Sequence, residues 1–296
     1  MSQNTEEASF FDRAFVAFQK ILPTRLLSSL AWKVAQSRHP VVSKTLIRWF
    51  QRKFDIVMAD CEFQQLGSYD TFASFFTRPL RPGARTMPVD PHALASPVDG
   101  RISQCGPIQV RQLIQAKGIV YPLAELVADQ GLADQFLSGF FMTIYLSPRD
   151  YHRIHMPTDG QLRNWSYIPG RLFSVNPATV RGLPGVFARN ERLCATFDTD
   201  YGPMAMILVG ALLVGGLETV WTGRVTPPHR REKDPSNYLP MEPVHLKRGN
   251  EMGRFNFGST VILLLPAGSG KWRKECVAGT SLRLGQAIAD MQMKAS

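Results

Sequence analysis

A run of five apolar residues at positions 261–265 directly follows the tetrapeptide Phe257-Gly258-Ser259-Thr260. Such a short run, with turn-forming residues before it, predicts a buried strand. Glycine has no Cβ to hinder approach to its carbonyl group, and it can hold backbone angles that other residues avoid. The pattern therefore allows Ser259 to attack its own backbone at Gly258, although Gly-Ser-Thr is also ordinary turn chemistry.

The rest of the chain divides into a helical start and a strand-rich body. The 296 residues, 44% of them hydrophobic, can bury a substantial core. Residues 1–65 have helical patterns, and a proline-rich connector follows at 82–91. Beyond it, short apolar runs predict strands at 140–146, 193–197, 204–208, 212–220 and 261–265, with a helix at 123–136 and a long surface loop at 226–254. We predict an α+β fold, with a β-rich body and an N-terminal layer of amphipathic, membrane-associating helices.

The net charge of +10 indicates an anionic partner, and much of it lies near the N-terminus. Residues 20–54 contain eight basic and no acidic residues, interleaved with leucine, valine, tryptophan and phenylalanine. Prolines at Pro23 and Pro40 are expected to break this stretch into short helices. Such helices lie flat in an anionic bilayer interface. The alternative is a helical layer packed on its own domain with a solvated charged face.

Other classes of partner and location fit the sequence less well. No helix-turn-helix, zinc-finger or RNA-binding signature accompanies the charge, so we expect no nucleic acid. No signal peptide is visible, and the longest apolar run, residues 204–217, is too short to span a bilayer. We expect a peripheral protein on the cytoplasmic side of the cell membrane.

Four polar residues stand in apolar surroundings and can carry chemistry: Asp99, His152, His155 and Ser259. Asp, His and Ser can act as orienting group, base and nucleophile. A serine hydrolase competes with this interpretation, but its nucleophile elbow requires Gly-x-Ser-x-Gly. A metal site at the two histidines with Asp150 or Asp159 also competes, but no further ligand cluster completes a shell, and we expect no metal.

These residues together resemble phosphatidylserine decarboxylase proenzymes of the bacterial and mitochondrial type. The resemblance covers most of the chain in six motifs, at residues 75–81, 97–100, 145–157, 169–176, 187–192 and 249–260. One position departs from the family pattern, because Phe257 stands where a leucine is usual. The side chain stays apolar, so the departure concerns the rate of cleavage rather than cleavage itself.

The resemblance implies a self-processing enzyme whose cofactor is made from the chain. Ser259 Oγ, deprotonated by His155 that Asp99 holds, attacks the carbonyl of Gly258 and cleaves the chain between Gly258 and Ser259. Ser259 becomes a covalent pyruvoyl group, which forms a Schiff base with the substrate amine. His152 is the residue implied to assist decarboxylation or protonation. Phosphatidylserine is converted to phosphatidylethanolamine and CO2.

The same resemblance implies the partners and the division of the chain. The parts are a helical membrane-associating region at 1–65, a catalytic body at 66–258 and an α chain at 259–296, the first two forming the β chain. The partners are phosphatidylserine and an anionic membrane surface, and a homodimer is common in that family. Two alternatives stay open, a lipid-active serine hydrolase and a non-enzymatic membrane-binding protein.

Overall fold

The structure is a computed structural model that describes residues 8–116, 118–213, 216–226, 236–256 and 259–293. Helices dominate the N-terminal part and return as short segments between strands. They are α1 (Phe10–Ile21), α2 (Thr24–Ala35), α3 (Pro40–Phe54), α4 (Phe72–Phe76), α5 (Leu123–Val127), α6 (Gln130–Asp134), α7 (Pro177–Gly182) and α8 (Val186–Arg189), with a 3-10 turn at Leu66–Ser68.

The strands begin after the proline-rich connector and continue almost to the end of the chain. The first nine are β1 (Ala93–Ala95), β2 (Gly100–Pro107), β3 (Gln112–Ala116), β4 (Ile119–Pro122), β5 (Phe140–Leu146), β6 (Arg153–His155), β7 (Gly160–Ile168), β8 (Arg192–Thr199) and β9 (Gly202–Val209). The others are β10 (Leu217–Thr219), β11 (Gly223–Thr226), β12 (Ser236–Tyr238), β13 (His245–Leu246), β14 (Glu251–Phe255), β15 (Ser259–Leu265), β16 (Gly270–Trp272), β17 (Ser281–Leu282) and β18 (Ala287–Met291).

The N-terminal helices begin where local sequence signals place their ends. Ser9 caps α1, and its side chain accepts a hydrogen bond from the Asp12 amide while Asp12 bonds back to the Ser9 amide. Pro23 precedes α2, and Pro40 is the first residue of α3. The backbone N–H at that position has no partner within a helix, so a proline there costs no hydrogen bond. The predicted helix breaks at both prolines are confirmed.

The main sheet has β15 at its centre and forms the body of the protein. Within the described residues its order is β12-β7-β8-β9-β15-β5-β2-β17, and β13 also pairs with β7. All seven residues of β15 are buried between β9 and β5, which confirms the predicted buried strand. Ser259 is its first residue and lies opposite Leu146 at the end of β5.

A second sheet carries the histidine motif beside the end of the main sheet. Its order is β11-β10-β14-β6, and Glu251 of β14 lies opposite His155 of β6. Smaller sheets are formed by β1-β18-β16 and by the hairpin β3-β4. The chain leading into Ser259 and the strand bearing His155 are therefore neighbours in one small sheet.

The helical layer has its own buried cluster and also an exposed apolar face. Aromatic residues of α3 and α4 form much of the cluster, with Phe50 packing edge-on against Phe72 and Phe76. The outer faces of α1–α3 nevertheless expose large apolar side chains, including Phe11 and Trp49. Among the described helices, none is both long and apolar enough to cross a bilayer.

The predicted α+β class is confirmed, while three local predictions need correction. The helix predicted at 123–136 is two helices, because Ala128 adopts a left-handed φ of 54° after the first. The strand predicted at 212–220 is reduced to β10, since Leu213 turns with a φ of 65°; Val214 and Gly215 lie outside the described residues. The loop predicted at 226–254 contains β12, β13 and β14; residues 227–235 of it are not described.

Candidate functional site

Ser259 is the most unusual polar residue of the site. Its side chain is 0% exposed, and its Oγ has no hydrogen-bond partner among the described residues. The next residue, Thr260, is also fully buried with an unpartnered hydroxyl. An unsatisfied buried hydroxyl costs about 1–3 kcal/mol, so packing alone gives no reason for a serine here. The predictions for Gly258 and Phe257 fall outside the described residues.

His155 lies on β6 with both ring nitrogens engaged. Its Nδ1 is 2.8 Å from the carbonyl oxygen of Gly249, and its Nε2 is 3.2 Å from the Tyr151 hydroxyl. A carbonyl can only accept, so Nδ1 carries the proton and Nε2 accepts from Tyr151. Burial lowers the pKa of His155. The result is a neutral imidazole whose basic nitrogen is Nε2, as a general base requires.

Asp99 has partners different from the predicted one. Arg85 donates from Nε to Oδ1 at 3.0 Å and from Nη2 to Oδ2 at 2.5 Å, and the Leu284 amide donates to Oδ1 at 2.7 Å. No hydrogen bond joins Asp99 to His155 in the described part of the chain. Asp99 pairs with Arg85 rather than with His155, because a guanidinium offers a carboxylate two charge-assisted hydrogen bonds, whereas a neutral imidazole offers only one weaker hydrogen bond.

The turn of Asp99 nevertheless adjoins the strand of His155. The His155 amide donates to the Pro97 carbonyl at 2.9 Å, two residues before Asp99. Burial has the largest effect on the pKa of His155 and lowers it, while the Gly249 carbonyl, the Glu251 charge and, least of the three, the Asp99 charge act in the opposite direction. Asp99 therefore has only a minor through-space influence on His155, and the Gly249 carbonyl orients the ring.

His152 is completely buried, and one of its nitrogens is unpartnered. Its Nδ1 lies 2.8 Å from the carbonyl oxygen of Asp150, while Nε2 has no partner among the described residues. The ring packs against Phe76 with centroids 4.1 Å apart. Burial first, and then the nearby Arg78 charge, lower the pKa of His152 to about 3. His152 is thus a neutral acceptor at ordinary pH.

The turn between β5 and β6 is fixed by a carboxylate and a buried guanidinium. Asp150 accepts from the amide and the hydroxyl of Ser147, both at 2.7 Å. Arg78 donates to the carbonyls of Arg149 at 2.8 Å and Asp150 at 3.3 Å. These bonds hold the segment that presents His152 and Tyr151.

The metal interpretation finds no support in the side-chain geometry. Asp159 accepts a hydrogen bond from the Arg248 amide, and the Nδ1 atoms of His152 and His155 face carbonyl oxygens. Within the described ranges, no three His, Cys, Asp or Glu side chains come together as a metal site.

Two cavities of contrasting polarity share one lining residue, Tyr145, next to the start of β15. Tyr145 lies opposite Thr260 in the sheet. The apolar cavity has a volume of about 450 Å³ and is walled by α2, α3, α4 and residues 174–176 and 211–213. The polar cavity has a volume of about 490 Å³, and its charged lining includes Arg78, Arg85, Asp99, Arg149 and Asp150. Together they suit a ligand with one apolar and one charged end.

Several site residues carried no signal that singled them out in the sequence. Arg85 lies in the proline-rich connector, and Gly249 contributes only its carbonyl group. Tyr151 and Arg78 fall inside the motifs that suggested the family, but nothing in their spacing assigns them a partner. A hydrogen-bond partner distant in sequence is a property of the fold, which explains why these contacts were missed.

Comparisons with known proteins establish the family of the chain. A family model described as phosphatidylserine decarboxylase matches residues 72–290, and a second, described as PSD, matches residues 14–55. A phosphatidylserine decarboxylase proenzyme of Xanthomonas campestris is 50% identical over 273 residues, which cover 92% of this chain and 96% of the relative. The protein of that name from Pseudomonas fluorescens is 45% identical over 93% of this chain and 96% of its own length. The one from Hahella chejuensis is 46% identical over 94% of this chain and 94% of its own length. This chain therefore belongs to the phosphatidylserine decarboxylase family of carboxy-lyases.

Proposed function

We propose that the chain cleaves itself between Gly258 and Ser259, and that a pyruvoyl group made from Ser259 serves to convert phosphatidylserine to phosphatidylethanolamine and CO2. The observation that carries the proposal is the buried, unpartnered hydroxyl of Ser259 at the start of the central strand. The name proenzyme, which the relatives share, agrees with a chain that is processed.

The residues around Ser259 fit such a group. Conversion to a ketone removes the hydroxyl for which the described surroundings offer no partner. The Thr260 hydroxyl and His152 Nε2 are buried, unpartnered polar atoms that could hold a substrate at this group. A pyruvoyl group supplies a carbonyl that accepts the electron pair left when CO2 departs.

In self-cleavage, His155 Nε2 takes the proton of Ser259 Oγ, and Oγ adds to the Gly258 carbonyl carbon. The peptide C–N bond breaks, the nitrogen takes up a proton, and an ester replaces the amide. Loss of the Ser259 α-proton then expels the Gly258 carboxylate. Water hydrolyses the remaining enamine and releases ammonia, which leaves a ketone. In the structure the Tyr151 hydroxyl is hydrogen-bonded to His155 Nε2. This bond must break before Nε2 can take the proton of Ser259 Oγ.

His152 is suited to a proton transfer in the decarboxylation. Its neutral Nε2 has no partner among the described residues, so it can carry a proton to the reacting atoms. Because burial lowers the pKa of His152 to about 3, its protonated form is a strong acid. We propose that it returns the proton to the α carbon after CO2 leaves.

The helical layer supports a lipid substrate and a peripheral position on the cytoplasmic side of the cell membrane. Three helices expose apolar side chains on their outer faces, chiefly Phe10, Phe11, Phe18, Ile21, Leu26, Leu30, Val34, Val41 and Trp49. The basic residues of the same segment attract anionic lipid. The apolar cavity begins at α2 and α3 and ends beside Tyr145, so acyl chains and head group can follow one path. The homodimer and the three-part division of the chain remain predictions.

Intact-mass analysis of the purified protein tests the proposal. We expect two chains, one ending at Gly258 and one beginning at residue 259, the second lighter by one ammonia than its sequence. Ser259→Ala should give one uncut, folded chain. An uncut wild-type chain would refute the proposal; reaction of Ser259 with a fluorophosphonate would then indicate a serine hydrolase, and no reaction a non-enzymatic membrane-binding protein.

A further inference from the structure

The carboxylate of Asp99 is held by a clamp that the proposed chemistry does not explain. Arg85 uses all three guanidinium nitrogens: Nε and Nη2 bind Asp99, and Nη1 binds Asp60 Oδ2 at 2.8 Å and the Ala84 carbonyl at 2.8 Å. The side chains of Arg85 and Asp99 are only 10% and 13% exposed. A buried guanidinium with every nitrogen engaged is a fixed element of the structure.

The clamp joins three stretches of chain that are distant in sequence. Asp60 follows the N-terminal helices, and its carbonyl accepts from the amide of Arg81, just before the connector, at 2.9 Å. Leu284, whose amide binds Asp99, lies after Ser259. If the chain is cut before Ser259, Leu284 and Asp99 belong to different products. Arg85 therefore fixes Asp99 where the two products meet.

The burial of Asp99 gives its contact with Arg85 an electrostatic role. A carboxylate as enclosed as Asp99 is destabilised in its charged form unless a cation lies beside it. Arg85 is that cation, and the pKa of Arg85 is raised by the pairing. Removing it would leave the buried Asp99 carboxylate without its cation and free its side chain to rotate away from the turn next to His155.

We infer that Arg85 is a positioning residue for self-cleavage, which holds the Asp99 side chain at the turn next to His155 and against the segment that follows Ser259. The inference rests on the proposed function, since it concerns the rate of that cleavage. Arg85 acts through Asp99 and takes no proton itself. The other titratable groups that act on or near Asp99 are Asp150, Tyr151 and His155, with Asp60 and Arg283 on the far side of Arg85.

The test compares Arg85→Ala, Arg85→Lys and Asp60→Asn in the full chain. Each is synthesised in a cell-free system, and the uncut fraction is followed by gel and intact mass. We expect Arg85→Ala to cleave at least about tenfold more slowly than wild type at pH 7.5, because Asp99 loses both guanidinium contacts. Arg85→Lys should recover part of the rate, since it keeps the charge, but not the full rate, since it lacks the two-pronged contact.

Asp60→Asn is the matched control, because it removes the other carboxylate partner of Arg85 and leaves the Asp99 contact intact. It should cleave within about twofold of wild type. Cleavage of Arg85→Ala at the wild-type rate would overturn the inference, as would an Asp60→Asn deficit equal to that of Arg85→Ala. If Arg85→Ala fails to fold, a wild-type rate in Arg85→Lys overturns it equally. A wild-type chain that stays uncut refutes the proposed function, whereas cut wild type with unaffected Arg85 variants refutes only this inference.

Discussion

Replacing two exposed apolar residues of α1 should detach the protein from lipid vesicles. The helix is divided lengthwise: Asp12, Val16 and Gln19 face the body, while Phe11 and Ile21 point outward. The Phe11 and Ile21 side chains are 81% and 84% exposed. Large apolar groups exposed together on one surface mark a site of interaction. The double variant Phe11→Ala/Ile21→Ala removes them and keeps good helix formers in their place.

The magnitude follows from the exposed fraction. Complete burial of a phenylalanine or isoleucine side chain is worth about 1.5–3 kcal/mol, and most of each side chain is available to a bilayer interface. Two such losses, reduced for partial immersion, amount to roughly 3 kcal/mol. Because each 1.4 kcal/mol is a factor of ten, we expect the partition coefficient to fall about 100-fold.

Vesicle flotation measures this effect directly. Both chains carry Ser259→Ala so that no lipid is consumed, and the vesicles contain phosphatidylserine in a phosphatidylcholine background. Val89→Ala is the control, since Val89 is 99% exposed on the connector outside the helical layer and should not change flotation. If the double variant floats as wild type does, or if Val89→Ala weakens binding equally, the docking face has been wrongly assigned.

Three further predictions concern stability, each measured by urea unfolding of the uncut Ser259→Ala chain so that unfolding stays unimolecular. Gly100→Ala should lose about 1–3 kcal/mol, because the new Cβ would lie 2.7 Å from a carbonyl oxygen of β5; Gly106→Ala on the same strand meets nothing within 4 Å, and an equal loss there would contradict this packing argument. His152→Gln should flatten the fall in stability between pH 6.5 and about 3, since unfolded His152 binds a proton in that window and folded His152 does not; an unchanged slope would show that His152 is not buried and neutral. Gln19→Leu should cost about 1–3 kcal/mol by removing the acceptor of the Ser174 amide and the donor to the buried Thr179 hydroxyl, and a neutral result would mean that α1 does not pack as described.

The architecture was largely predictable because its signals are local. Five consecutive apolar residues at 261–265, preceded by turn-forming residues, predict a strand covered on both faces, and β15 is that strand. Pro23 and Pro40 define helix starts through their own covalent geometry. The short helix break at Ala128 was not predictable, since a left-handed alanine is imposed by the packing around it.

The sequence points to candidate site residues but not to their contacts. Ser259, His152, His155 and Asp99 stand out as polar groups in apolar surroundings, and their roles stay predictions. Their partners depend on which groups the fold brings nearest. Asp99 was expected to hold His155, yet Arg85 competes for the carboxylate more strongly, and the Gly249 carbonyl serves the histidine instead. No sequence pattern ranks such competing donors and acceptors.

The two faces of α1 connect membrane docking with the cavity beside Ser259. On its inner face, Gln19 accepts from the Ser174 amide at 2.7 Å and donates to the Thr179 hydroxyl at 3.0 Å. Ser174 also lines the apolar cavity that reaches Tyr145. On our proposal, the helix that rests on lipid with its outer face therefore holds a wall of the lipid cavity with its inner face. A diacyl substrate need not leave the bilayer completely, since the cavity opens among the helices that dock. This arrangement explains why a buried glutamine, costly without partners, occurs in an otherwise amphipathic helix.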